Sequence, residues 1–193
     1  MTRSWAVIIV MLLLATSCSW LPTPPEPTAQ PQLEELREKH EISDCPESDP
    51  AAEGGPGRLP QIELPCLGSD EMVNLAGLPE GAKVINFWAQ WCEPCRTESP
   101  FLREAHEQRP GVQFIGINYD DPEPALAIEF AGLAGLTYPH VRDRHKQLQI
   151  LGVPGLPLTL FVGDDGNISH SFIGGIESTE QLLELMDEHL GEK

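Results

Sequence analysis

The chain has 193 residues, 40% hydrophobic and 22% charged, a globular balance that suits one domain and leaves little room for two. Asp and Glu number 30 against 12 Lys and Arg, a net charge of -18. That balance excludes a nucleic-acid partner, since phosphate contacts need a basic face, and disfavours electrostatic adhesion to anionic lipid.

In chain order, the first predicted element is an export signal over residues 1–17. Arg3 gives a weak positive start, and Trp5 to Ala15 is almost wholly apolar. This run suits the apolar core of a signal peptide and falls short of the ~18 residues of a spanning helix. A buried core helix is the plainer alternative, and the Pro-, Thr- and Glu-rich stretch that follows at once argues against it. The segment closes with Leu14-Ala15-Thr16-Ser17-Cys18, which resembles a bacterial lipoprotein box. It departs from that pattern at Ala15, where Leu is usual, and Ser17 is a less common small residue. The resemblance implies that Cys18 is the first mature residue and is lipidated, and two or more acyl chains would make a stable anchor. Ordinary cleavage nearby, or retention of the segment as an anchor, stays open.

Residues 18–58 read as an acidic, Pro-rich tether. Leu21 to Pro31 favours extended polyproline conformations, Gln32 to Ile42 is a short acidic helix, and Pro50 to Pro60 is rich in turn formers. Residues 59–193 suit a single α/β domain. Ile62–Leu64 and Met72–Leu75 form a short strand pair. Lys83–Ala89 and Val112–Asn118 are continuous apolar runs, the pattern of strands buried on both faces. Helices are predicted over Cys92–Gln108, with a kink at Pro100, over Pro124–Ala134, over Arg144–Leu151 and over Thr179–Leu190. Leu158–Val162 and Ile168–Ile173 pair as a hairpin around Asp165-Gly166-Asn167. Strands that first alternate with helices and then close in a hairpin predict a mixed sheet with helices on both faces.

The chemistry is concentrated in Trp91-Cys92-Glu93-Pro94-Cys95. Cys92 falls at a helix N-terminus, where unpaired backbone N–H groups and the macrodipole stabilise an anion. Its thiol pKa should therefore lie below the free value of about 8.5. Cys95 is one turn along, within reach of a disulfide, and Pro94 sits in the first turn, where its missing N–H costs little. An exposed low-pKa thiolate at Cys92 attacks a target disulfide, and Cys95 resolves the mixed disulfide. A zinc site would want four ligands, but no second CxxC exists and no His has ligand spacing to this pair. A merely structural bridge is the other alternative. No metal or cofactor is called for.

With Arg96-Thr97-Glu98-Ser99-Pro100 following the CxxC, the sequence resembles the thioredoxin superfamily, and within it the TlpA/ResA-like extracytoplasmic thiol–disulfide oxidoreductases. Gly152-Val153-Pro154-Gly155-Leu156-Pro157 resembles the family's cis-proline loop, and Asp165-Gly166-Asn167 with Gly174 its closing hairpin. Tyr138-Pro139 with Asp143 resembles the segment after the helix this subgroup inserts. The resemblance runs over roughly residues 59–190. It implies a thioredoxin-like fold with an N-terminal strand extension and an inserted helix. It also implies Cys92 as nucleophile, Cys95 as resolving cysteine and Pro157 as the cis-proline beside them, following Leu156. Glu98 stands where ResA-like members carry an acidic residue; it is either a proton-handling group or a solvated carboxylate on a helix face. Trp91 is read as packing that shields the disulfide, and Glu93 and Pro94 as residues that tune the pair's potential.

Two cysteines remain after the active pair and Cys18. An even remainder in an exported chain suggests a Cys45–Cys66 bridge, which would close a loop of about 20 residues and add ~3 kcal/mol in the chain-entropy model. A second redox pair relaying electrons to Cys92 is the alternative. The leading function is a membrane-tethered thiol–disulfide oxidoreductase on the outer face of the cytoplasmic membrane, acting on protein disulfides or dithiols. The resemblance implies a reductant, with the haem-binding cysteines of apocytochrome c as a substrate and a membrane thiol transporter as electron donor. A thiol oxidase and a non-catalytic binding module on the same fold are the competing readings.

Overall fold

A computed structural model describes residues 29–191; the export segment, Cys18 and the Pro-rich stretch up to residue 28 lie outside the described residues. The central strand β3 (Lys83–Trp88) is buried at every position. Its side chains alternate between two core layers, Val84 and Trp88 in one and Ile85 and Phe87 in the other. Elsewhere the chain forms α1 (Ala29–Lys39), β1 (Glu63–Pro65), β2 (Met72–Asn74), α2 (Glu93–Gln108), β4 (Gln113–Tyr119), α3 (Pro124–Ala134), β5 (His140–Asp143), β6 (Leu158–Val162), β7 (Ile168–Ile173) and α4 (Thr179–Leu190).

Five strands make one mixed sheet in the order β5-β4-β3-β6-β7. β4 runs parallel to β3 and β5 parallel to β4, with α2 and α3 as crossovers, while β6 and β7 add antiparallel on the other side. Leu102 and Ala105 of α2, Ile128 and Ala131 of α3, and Leu182 and Met186 of α4 pack in the layer of Val84 and Trp88. The second layer sets Ile85, Phe87, Ile117 and Leu160 against Leu64 and Val73 of the β1–β2 hairpin. Helical cover on that face is short: a 3-10 turn at Leu75–Gly77 and another at Gln147–Leu151, where a helix over Arg144–Leu151 is predicted. Asp143 explains the late start, because its carboxylate accepts the N–H groups of Gln147 and Leu148, both at 2.8 Å.

The helix α2 runs on through Pro100. Pro100 has no N–H to give the Arg96 carbonyl, and Ser99 Oγ donates to that carbonyl instead at 2.9 Å.

The acidic segment is not a tether throughout. From residue 29 it wraps the domain. Leu33 and Leu36 of α1 pack against the helical core layer, and a Cβ on Gly132 of α3 would overlap the His40 ring. Ile42 and Cys45 are buried. The Asn74 side-chain amide donates to the carbonyls of Asp49 and Ala52 at 2.8 and 3.0 Å, and the Ile168 N–H donates to the Gly57 carbonyl at 2.7 Å. Cys45 and Cys66 are joined in a disulfide, with Cα atoms 5.9 Å apart. This bridge belongs to the hairpin-side core layer, whereas Cys92 and Cys95 belong to the helical one. The two pairs thus lie in different core layers.

The loop closed by Cys45–Cys66 spans a sequence separation of 21. Replacing both cysteines by alanine should therefore cost ~3 kcal/mol of stability, read by urea unfolding with the Cys92–Cys95 pair kept oxidised. A loss under about 1 kcal/mol would mean that the wrapped segment holds to the domain without the bridge.

Candidate active site

β3 delivers the chain to Cys92 through a short turn that starts buried at Ala89 and surfaces at Trp91. Ala89 is fully buried, and the Cys92 N–H donates back to its carbonyl at 3.1 Å. Cys92 is the N-cap of α2 in extended geometry, and its sulfur accepts the Cys95 N–H at 3.3 Å. The two sulfurs are bonded, with Cα atoms 5.4 Å apart. In the reduced protein the same N–H and the helix macrodipole would stabilise a thiolate on Cys92. Glu93 and Pro94, both exposed, form the first turn.

Two expectations are altered by the geometry, and one open alternative is decided. Cys92 is only 4% exposed and Cys95 2%, so the attacking sulfur is recessed rather than open. Trp91 is 53% exposed, and its indole N–H donates to the Asp120 carbonyl at 3.3 Å; it stands at the rim and is not packed into the core. Glu98 is no solvated face residue, being fully buried. One turn beyond Cys95 on the same helix face, its carboxylate accepts the Asn86 side-chain amide on Oε1 and the Ile176 N–H on Oε2, both at 2.9 Å. Desolvation pushes its pKa up to about 7, against the pull of those two bonds.

The Leu156–Pro157 bond is cis. Pro157 is buried and Leu156 is half-buried, packed against both core layers. The Pro157 carbonyl accepts the Gly174 N–H at 3.1 Å, and a Cβ on the next residue, Gly175, would lie 3.8 Å from the Pro94 carbonyl oxygen. The loop after β7 thus touches both the cis-proline and the CxxC turn.

Several residues of the site escape sequence reading. Asn86 also donates to Thr159 Oγ1 at 3.1 Å, so two polar side chains on neighbouring strands support Glu98. Their signal was present: each is a lone polar residue inside an apolar strand. Asp121, fully buried, accepts the Gln90 N–H at 2.9 Å and the Asn118 amide at 3.1 Å, and so pins the loop that leads to Cys92. Asn118 lies only three residues before it, but the Gln90 N–H that gives it a role at the site is 31 residues away in sequence. Trp88 Nε1 donates to His140 Nδ1 at 3.2 Å, and the other ring nitrogen faces the Leu136 carbonyl at 3.0 Å. Burial pushes His140 down to about 4, so it is a neutral strut. Among the described residues, no group of three or more His, Cys, Asp or Glu side chains is placed to hold a metal ion.

A five-stranded mixed sheet with a two-cysteine helix cap beside a cis-proline defines a thioredoxin-like protein. The chain belongs to the Redoxin family, whose model matches residues 56–185. It is 38% identical over 106 residues to the thiol-disulfide oxidoreductase ResA of Geobacillus thermodenitrificans, a match covering 52% of this chain and 60% of that protein. The chain thus spans well under two thirds of that relative. It is 33% identical over 144 residues to the thiol:disulfide interchange protein HelX of Rhodobacter capsulatus, covering 72% of this chain and 77% of HelX. Among solved structures, a DsbF homologue from Corynebacterium diphtheriae superposes with a TM-score of 0.59 at 28% identity, covering 76% of this chain and 99% of that one.

Glu98 is raised from 4.5 to about 7 in the folded chain. A carboxyl whose folded pKa is raised stabilises the fold below its unfolded pKa and loses that contribution as pH climbs through the folded one. The stability of the wild type relative to Glu98→Gln should therefore fall between about pH 4.5 and 7 and level off above, by up to ~3 kcal/mol. Urea unfolding of the oxidised proteins across that range reads the slope, and a flat difference would mean that Glu98 is well solvated.

Proposed function

We propose that this protein is an exported thiol–disulfide oxidoreductase, held at the outer face of the cytoplasmic membrane by a lipid on Cys18, that reduces disulfides of selected proteins. The observation that carries this reading is the Cys92–Cys95 disulfide at the N-terminus of α2, with the buried Glu98 carboxyl one turn along. An inert bridge in a binding module would not need a titratable carboxyl buried next to it. Among the described residues no helix is long and apolar enough to cross a membrane; what supports the anchor at Cys18 is the resemblance of Leu14-Ala15-Thr16-Ser17-Cys18 to a lipoprotein box.

The exchange balances as two substitutions at sulfur. The Cys92 thiolate attacks one sulfur of the substrate disulfide; a Cys92–substrate bond forms, the substrate S–S bond breaks, and the departing thiolate takes a proton. Cys95, deprotonated, then attacks Cys92 Sγ and expels the second substrate thiolate. Two electrons leave the dithiol, the substrate is reduced, and the pair ends as the disulfide described above. Glu98, with a pKa near neutrality, takes the proton of Cys95 during the second step and returns it when the pair is reduced again. Electrons come back from a membrane thiol donor. The resemblance to ResA-like proteins supports apocytochrome c, with its haem-binding cysteines, as a substrate.

Cys95→Ser should trap a mixed disulfide through Cys92, isolated by mass mapping after exposure to a disulfide-bonded substrate protein. Trapping only in Cys92→Ser would reverse the two roles. The potential of the pair decides direction: a value near -120 mV would make the protein an oxidant instead. Cys18→Ala should release the protein from membranes or block its processing, and unchanged size and retention would point to an uncleaved anchor.

A further inference from the structure

The helix α3 is apolar on two sides. Ala127, Ile128 and Ala131 are buried against the core. Leu126 and Leu133 nevertheless stand 48% and 77% exposed, with half-buried Phe130 between them. These three fall at i, i+4 and i+7, one stripe of the helix. The stripe floors a groove of about 360 Å³ whose other wall is built by Gln90 and Arg96, with Glu129 at its edge. Arg96 lies over the Phe130 ring at 5.1 Å and donates to the Gln90 carbonyl at 3.2 Å, so the wall is fixed rather than loose. Gln90 comes two residues before Cys92, and two residues span at most ~7 Å. Arg96 follows Cys95 directly. Both wall residues are therefore held within a few ångströms of the disulfide along the chain, and the half-exposed Trp91 comes between Gln90 and Cys92 in sequence.

Three apolar side chains are a small fraction of the ~800 Å² per partner that a stable dimer buries. A net charge of -18 makes copies repel one another and makes anionic lipid a poor neighbour. A small, partly charged, apolar cleft beside a recessed sulfur suits a transient encounter with a single polypeptide segment. We propose that the α2–α3 groove is a specificity subsite of the exchange site, which takes a large aliphatic or aromatic side chain lying within about three residues of the substrate cysteine. This rests on the exchange activity proposed above.

The test uses the reduced full chain and peptides whose one cysteine is joined as a mixed disulfide to thionitrobenzoate. The peptides are built from Gly and Ser, with one Leu moved through the three positions on either side of the cysteine. 2-Hydroxyethyl disulfide, which has no side chain to dock, is the control. One Leu position should raise the second-order rate about tenfold over Ser. Leu133→Glu should abolish that gain and leave the control rate unchanged; Leu126→Ser should weaken it. Both positions are exposed, and unchanged melting verifies the fold. A Leu gain at no position, or one that survives Leu133→Glu, overturns the subsite while exchange with the control still stands. No reaction with either probe overturns the exchange activity and the subsite with it. Self-association, or binding to neutral phosphatidylcholine vesicles, that Leu133→Glu abolishes would give the groove to another occupant and overturn the proposal as well.

Discussion

A carboxyl group buried among apolar side chains must be hydrogen-bonded, neutral, or both, because an ionised group without partners costs many kcal/mol in a low-dielectric interior. Glu98 is held by Asn86 from β3 and by the Ile176 N–H from the loop after β7. Asn86 reaches in turn to Thr159 on β6, two residues past Pro157. Glu98, directly and through Asn86, therefore joins the helix that carries the disulfide, the central strand, the strand that follows the cis-proline and the closing loop. Removing any partner would leave a buried polar atom unsatisfied, so these four segments hold one another in register.

The other side of the CxxC turn is held by different chemistry. Asp121 takes the Gln90 N–H from the end of β4, while His140 on β5 props Trp88 at the end of β3. Cys95 is thus positioned from the Glu98 side and Cys92 from the Asp121 side. The two cysteines sit on a turn whose geometry is set before any partner arrives, which spares the exchange reaction the cost of ordering it.

The elements with strong local signals were legible in the sequence. β3, β4 and the β6–β7 hairpin follow from continuous apolar runs and from Asp165-Gly166-Asn167, and the cap of α2 follows from CxxC after a buried strand. The wrapped segment was legible only in part: its short helix and the Cys45–Cys66 bridge follow from the sequence, its packing onto the domain does not. Its acidic composition reads as solvated chain, and its few burying positions, Leu33, Leu36, Ile42 and Cys45, are too widely spaced to show a face until α3 and Cys66 are in place. The 3-10 turn at Gln147–Leu151 was hidden for a related reason: Asp143 captures the backbone N–H groups that a longer helix would have used. Glu98 could be placed near the cysteines by helical spacing, but its burial depends on Asn86 and Ile176, which are 12 and 78 residues away in sequence.

Recessing both sulfurs changes what selectivity can mean here. A thiolate stabilised at a helix N-terminus reacts with any disulfide that reaches it, so thiol acidity alone discriminates poorly between substrates. Access discriminates better. With Cys92 4% exposed, a disulfide reaches it only if the flanking chain settles closely against the rim where Trp91 stands. Rigid supports beneath the turn keep that rim from opening on its own. Burial also raises the electrostatic weight of Glu98, because a carboxyl acts more strongly on a neighbouring thiol when water is excluded from between them. Under the function proposed above, the same closure that would slow unselective exchange would also strengthen the action of Glu98 on the Cys95 thiol, so selectivity and proton handling would draw on one feature of the fold.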